Sequence, residues 1–477
     1  MAIKEDLAAI VGAANVADDP EVLRKYSRDY SLVTPRMPSW VVYVKSVPEI
    51  QGVVKYANER KIPVTPRSSR VSFYGAGIPS QGGIILDLTG MSKILQIDAR
   101  NKKVKVEPGV TWAQVQDELG KQGLMVSSPF LPHPEKSVVT SALEREPILI
   151  TKSEYSEVFL NGEMVLANGD LFWTGTAMAK GMKDQVFTEG LIPGTKLFLG
   201  AQGTLGIVTW AHLKAEFIPT RDKVFFIACD NASDIAEPIY SIQRKMLGSE
   251  CLVLNRFNLA AILAEKMPDD FKPLRESLPP YTIIQVLSGM HRLPDERIAY
   301  EERALTGIAS ELHFEPQRNV GGIAGLDSKI LGMLREPWQG DGYWKLRSKG
   351  GCHEVFFHAT MERIPEFTAA LTQIATAYGY PVDDIGIYFQ PLERARMGFY
   401  QYSFHCNPED AREVDKIRKL YLEASERVVN MGGLFATPYG AWADMVYRRA
   451  STYTATLKVV KNAFDPNNIL NPGKLCY

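Results

Sequence analysis

A chain of 477 residues, 45% hydrophobic and 23% charged, has an ordinary globular composition and room for roughly two or three domains. Its 54 Lys and Arg balance 55 Asp and Glu, which gives no electrostatic case for a nucleic acid or an anionic membrane as partner. The start lacks the pattern of a secretory signal and no apolar run is long enough to span a bilayer. The five scattered cysteines (Cys229, Cys251, Cys352, Cys406 and Cys476) have no CxxC spacing and read as reduced thiols, so a cytoplasmic protein is expected.

Along the chain, DPEVLRKYSRDYS predicts a surface helix and SWVVYVKS a short strand. SVPEIQGVVKYANERK carries apolar residues at helical spacing behind Ser46 and Pro48, as an N-capped helix does. KIPVTPRSS resumes as a strand that runs into a loop. From Gly82 to Gly123 the pattern gives two strands, a turn at Ala99–Lys102, a third strand and a helix from Thr111. Short strands beside short helices, without regular βαβ spacing, predict an α+β fold over a doubly wound sheet. More strands follow between Glu157 and Pro219. After Thr220 the character changes: KVFFIAC, TIIQVLSGM, HEVFFHATM and YQYSFHCN read as strands, each followed by a helical stretch. A sheet with helices on one side fits this part. From about Met431 the chain returns to Gly, Pro and aromatic residues and ends DPNNILNPGKLCY.

Two familiar motifs are absent: a G-x-G-x-x-G between strand and helix, and a Walker A loop. His353 and His358 bracket a glutamate, as in a zinc motif. They are five apart where a helical site needs four, and on the strand that VFF favours they would point to opposite faces. A metal site is not expected.

The sharpest local feature is the loop from Pro66 to Pro79, PRSSRVSFYGAGIP. Its small residues permit close backbone approach, and successive N–H groups there suit phosphate oxygens, with Arg67 and Arg70 adding charge. Further on come GIILDL, MSKI and VEPGVTW, then SVVTSALER (Ser137–Arg145), EMVLANG, GTLGIVT (Gly203–Thr209) and DPNNILNPGK. In this order and nearly end to end, the chain resembles the vanillyl-alcohol oxidase and 4-cresol dehydrogenase family, whose FAD-binding domain is called PCMH-type.

The resemblance implies a two-subdomain FAD-binding domain over 1–219, an α+β cap over 220–430 and a C-terminal segment, 431–477, that returns to the first domain. It implies FAD, with its diphosphate on Arg67, Ser68, Ser69, Arg70, Val71, Ser72, Tyr74 and Gly75. Ser137, Val138, Ser141, Ala142 and Arg145 would line the cofactor further along, as would Gly203, Gly206, Ile207, Val208 and Lys474. Val71 stands where relatives carry a flavin-linked histidine, so no covalent bond forms there. The other attachment point aligns near Phe399 or Tyr400 and leaves a tyrosyl link through Tyr400 open.

Tyr74 falls where the family hydrogen-bonds a phenolic oxygen; the alternative is a loop tyrosine packed under the cap. Glu154 falls where it has an aspartate beside the flavin, the alternative being a solvated strand end. His353, His358, Tyr400, Tyr402 and His405 lie on the two strands expected to roof the pocket, as catalytic groups or as buried packing. The family's terminal Tyr-Arg is replaced by Trp442-Ala443, which weakens phenolate recognition unless Arg394, Arg396 or Arg448 compensates. The expected activity is oxidation of a benzylic alcohol, alkylphenol or related small molecule by hydride transfer to flavin. The rivals are a D-2-hydroxy-acid dehydrogenase, whose H-x-G-D-G-N-x-H segment is missing, and a flavoprotein subunit that passes electrons to a partner protein. Self-association is expected only from the habit of enzymes of this size.

Overall fold

The computed structural model describes residues 3–151, 158–179, 181 and 194–477. The first layer runs through α1 (Ile3–Val11), β1 (Val16–Ala17), α2 (Pro20–Tyr26), β2 (Trp40–Tyr43), α3 (Val47–Arg60), β3 (Val64–Arg67) and β4 (Ile84–Asp87). Its strands order β1-β2-β4-β3, with β2, β4 and β3 parallel. α3 makes the crossover between β2 and β3, and its buried Ile50, Val53, Val54 and Ala57 recur at helical spacing against the sheet. Ser46 precedes this helix but makes no capping hydrogen bond. The Glu49 carboxylate instead accepts from the Lys45 N–H at 2.6 Å.

The second layer holds β5 (Ile94–Asp98), β6 (Lys103–Val106), α4 (Trp112–Gly120), β7 (Leu124–Met125), α5 (Val138–Leu143), β8 (Phe159–Val165), β9 (Leu171–Trp173), β10 (Ile207–Lys214) and β11 (Glu216–Phe217). Here the sheet is antiparallel in the order β5-β6-β10-β8-β9. Thr111 and Gln114 form a reciprocal capping box at the start of α4, where the sequence placed that helix.

The third layer begins with β12 (Arg221–Cys229), α6 (Ala236–Arg244), β13 (Cys251–Asn255), α7 (Arg256–Leu263), α8 (Phe271–Ser277) and β14 (Tyr281–Gly289). It continues with α9 (Pro294–Leu312), β15 (Pro316–Gln317), α10 (Leu326–Arg335), β16 (Gly351–Ala359), α11 (Ile364–Ala377), β17 (Gly386–Leu392), β18 (Met397–Cys406) and α12 (Ala411–Asn430). Its strands order β15-β12-β14-β13-β17-β18-β16, all antiparallel. Alternation along each strand splits the side chains into two cores. Phe225, Val253, Phe357, Phe389 and Tyr400 join α6, α9, α11 and α12 on one face. Phe226, Leu254, Ile284, Tyr388 and Phe399 join α7 and α10 on the other. Helices therefore cover both faces, where the sequence suggested one. The mixed helix and sheet content is the expected α+β arrangement.

α13 (Ala441–Tyr447) and α14 (Ser451–Phe464) lead back to the first layer. There Val64 N–H donates to Ile469 C=O at 2.7 Å and Asn471 N–H to Val64 C=O at 2.8 Å, beside β3. All five cysteines are free thiols. Among the described residues no helix is long and apolar enough to cross a membrane, and no group of three His, Cys, Asp or Glu is placed to hold a metal ion.

Candidate active site

Two spaces that share Glu144 and Tyr439 as lining residues lie where the three layers meet. The first is a groove of about 110 Å³ between the 66–77 loop, α5 and the 200–208 turn. Arg67, Ser68, Ser69 and Ser72 line it, as do Gly203, Gly206, Ile207 and Val208. α5 contributes Val139, Thr140 and Leu143, one residue off the register taken from the sequence. Val138, Ser141 and Ala142 turn instead into the core, where Ser141 accepts a hydrogen bond from the Trp112 indole at 2.9 Å. Ser137 is also buried, capping α5 and donating to Pro108 C=O at 2.6 Å. Arg70 is exposed and Val71 buried, and neither lines the groove.

The groove walls are built by backbone. Gly75 has φ +78° and donates to the Asp29 carboxylate, which also accepts from Ser72 Oγ. Gly203 has φ +72°, and a Cβ there would lie 2.6 Å from Pro66 Cγ, so only glycine fits. Asn471 ties three walls together. Its amide donates to Ala76 C=O at 3.0 Å and Gln202 C=O at 2.7 Å, while its carbonyl accepts from Thr65 Oγ1. Lys474 does not line the groove; it clamps the same loop from behind, donating to Gly75 C=O at 2.9 Å, and burial lowers its pKa to about 8.

Ser72, Ala76, Gly77, Gln202, Gly203 and Gly206 line this groove, and their N–H groups have no acceptor among the described residues. Free amides around a groove suit a diphosphate. Apolar Val139, Leu143, Ile207 and Val208 suit a flat heteroaromatic ring beside them. The residues present therefore fit the flavin nucleotide implied by the sequence resemblance.

Glu144 and Tyr439 line both this groove and a second space of about 280 Å³. Its walls are aromatic: Phe73, Tyr74, Phe130, Trp344, Tyr388 and Phe399. Tyr74 stacks on Tyr439 at 5.0 Å and meets Phe356 edge-on at 5.2 Å. Burial, followed by the negative potential of Glu354, Glu146 and Glu144, raises the Tyr74 pKa far above its ordinary value, so it stays a neutral donor.

Lys136, Glu144, Glu146 and Lys345 furnish the polar side, and each is held in a buried ion pair. Lys136 Nζ lies 2.6 Å from Glu144 Oε2 and 2.7 Å from Glu146 Oε1, and 5.3 Å over the Tyr74 ring. Burial opposes the Lys136 charge, but the two carboxylates outweigh it and raise its pKa. Lys345 Nζ lies 2.6 Å from Glu354 Oε1, which also accepts from Gln401 at 2.7 Å. Sequence reasoning passed over Lys136, Glu144, Glu146, Lys345 and Glu354. Glu144 directly precedes the selected Arg145, which also lines this cavity.

The strand histidines and tyrosines separate by register. Phe399 and His358 face the cavity, and burial lowers the His358 pKa to about 4. Tyr400 and Tyr402 point to the opposite core. Tyr400 donates its hydroxyl to Thr360 C=O there, so the residue at the cavity is Phe399, which has no oxygen for a flavin link. His405 is buried against Phe257 at 5.0 Å, its pKa lowered to about 3 by that burial, and it lines neither space. His353 lines a neighbouring cavity of about 340 Å³ beyond Tyr74, with Arg418 and Trp442. Arg394 and Arg396 line none of these spaces, and Arg448 pairs with Glu426 at the surface. Glu154 lies outside the described residues.

Residues 38–175 match the FAD binding domain family and residues 358–475 the C-terminal domain of FAD linked oxidases. The chain is 23% identical to the glycolate oxidase subunit GlcD of Bacillus subtilis, covering 99% of this chain and 96% of that protein. It is 32% identical to the 4-cresol dehydrogenase [hydroxylating] flavoprotein subunit of Pseudomonas putida over 49% of this chain and 46% of that one. The crystal structure of p-cresol methylhydroxylase with substrate bound superposes with a TM-score of 0.85 at 21% identity, over 99% of this chain and 96% of that one.

Proposed function

Because the chain belongs to the FAD-linked oxidases with a PCMH-type FAD-binding domain and is an FAD-dependent oxidoreductase, we propose that its substrate is a benzylic alcohol, an alkylphenol or a related hydroxylated aromatic. The observation that carries this reading is the aromatic cavity that adjoins the cofactor groove, with Glu144 and Tyr439 lining both. FAD, when bound, accepts a hydride at its N5 atom. The free amides of the 72–77 loop and the 202–206 turn would hold its diphosphate. Phe130, Tyr388 and Phe399 orient a flat substrate and exclude water. Tyr74 donates a hydrogen bond to the substrate's oxygen, and as a neutral phenol it does so across the physiological pH range.

A 2-hydroxy acid is the second reading, favoured by the nearly full-length match to the glycolate oxidase subunit. Against it, Lys136 and Lys345 are already paired with glutamates, so a substrate carboxylate would compete for cations in use. The test is anaerobic mixing of the FAD-loaded protein with both classes. Bleaching of the flavin by benzylic alcohols or 4-alkylphenols, and not by D-lactate or glycolate, is the expected result. The reverse preference would replace this reading with the second one.

A further inference from the structure

Oxidising a hydroxyl-bearing carbon releases a proton as well as a hydride, and the chain must hold a group to take it. His133 and Glu393 line the aromatic cavity but are not part of the cofactor groove's lining. Tyr74 is protonated and cannot accept, and Lys136 and Lys345 are cations. His358 faces the cavity, but its pKa of about 4 makes it a poor acceptor at neutral pH. Glu354 lines the neighbouring cavity instead of the aromatic one, and Lys345 and Gln401 hold its Oε1. Glu146 gives one oxygen to Lys136, and its other oxygen is shut off from solvent.

Glu144 is placed differently. It lines both the cofactor groove and the aromatic cavity, so it stands at their junction. Its Oε2 is anchored by Lys136 at 2.6 Å, whereas its Oε1 has no partner among the described residues. The backbone holds it firmly. Glu144 N–H donates to Thr140 C=O at 2.8 Å, and the next residue, Arg145, turns the chain sharply with φ +55°. The side chain is only 12% exposed. We propose that Glu144 is the catalytic base, its free Oε1 taking the proton from the substrate's hydroxyl group.

This inference rests on the substrate reading above. In the step, the substrate's C–H bond breaks and its electron pair leaves with the hydride to FAD. The O–H bond breaks and its proton passes to Glu144. A C=O bond forms, and the glutamate is left as a neutral acid. The neighbours tune it for the exchange. Burial raises its pKa, Lys136 partly offsets that rise, and Glu146 and Asp29 push it further up. Tyr74 and Tyr439 complete the groups that face it, and both stay neutral. Lys136 is a positioning residue: it holds one carboxylate oxygen and leaves the other to work.

The test compares wild type with Glu144→Gln and Glu144→Asp as FAD-loaded protein. The expected result for Glu144→Gln is flavin reduction at saturating substrate slowed by roughly 100-fold or more. FAD content and affinity for the product aldehyde should stay unchanged. The wild-type rate should fall as acid protonates Glu144, above the ordinary glutamate range; Glu144→Gln should lose that limb and Glu144→Asp should keep it. Infrared difference titration of the FAD-free protein gives an independent readout. A carboxyl band titrating above the usual range should be present in wild type and missing in Glu144→Gln. Should Glu144→Gln not retain FAD, the Glu144→Asp profile and the infrared band decide. A Glu144→Gln protein that reduces its flavin at the wild-type rate with the same acid limb overturns the Glu144 role and leaves the substrate reading standing. A wild type bleached by no hydroxylated compound overturns both.

Discussion

Lys136 connects the two groups on which the chemistry turns, since its ammonium is bonded to Glu144 and lies over the ring of Tyr74. The two contacts separate in mutagenesis. Tyr74→Phe keeps the stack on Tyr439 and removes only the hydroxyl. Its turnover should fall by roughly 100-fold, with FAD content intact, in steady-state assays on the preferred substrate. An unchanged turnover would return Tyr74 to a packing role. At position 400 the opposite outcome is expected. The tyrosine hydroxyl is spent on Thr360 in the far core, so acid precipitation should release all the flavin from wild type and from Tyr400→Phe alike. Tyr74 was singled out because the sequence resembles a family with a tyrosine at that place, and it lines the aromatic cavity. Glu144 was not, since its importance comes from Lys136, eight residues earlier, and from two spaces that exist only after folding.

Among the elements, β16 and β18 explain why the site was only half legible. HEVFFHA and GFYQYSFHC are apolar on both faces because helices cover both faces of their sheet. Such a strand is readable as a strand, but no polar alternation reveals which side meets a cavity. α5 failed for a related reason: its six residues are too few for periodicity to fix a face. The C-terminal segment was recognised by its ending, while its work is local hydrogen bonding. Asn471→Ala removes two donors that hold the 66–77 loop to the 200–208 turn. At about 1 kcal/mol for each bond, FAD affinity should drop by up to about 30-fold. Fluorescence titration of the FAD-free protein measures this. Thr65→Val, which removes a bond on the acceptor side of the same asparagine, should have a smaller effect.

For the whole molecule, the active site depends on how the cap sheet seats on the first two layers. The seam is closed by Tyr343 and Trp344 donating to Leu131 C=O and by Gln390 donating to Ile148 C=O. Arg335 reinforces it. Its guanidinium is buried against Asp222 at 2.6 Å and Glu250 at 3.1 Å, and its C=O accepts from Gln116 of α4. Arg335→Ala leaves two buried carboxylates without their cation and should cost about 3–5 kcal/mol in urea denaturation. A loss below 1 kcal/mol would mean that the two carboxylates do not rely on it. The layers and their order could be anticipated from motif order and strand pattern. The seam was not, because it is made by residues hundreds of positions apart.

Anaerobic titration of the FAD-loaded protein with a 4-alkylphenol or benzylic alcohol, followed by the visible flavin spectrum, probes groove, junction and cavity together. Stoichiometric bleaching is the result expected from a flavin seated in the groove and a substrate held in the aromatic cavity. A protein that retains no flavin, or a flavin that stays oxidised under every hydroxylated aromatic while a 2-hydroxy acid bleaches it, would contradict the account.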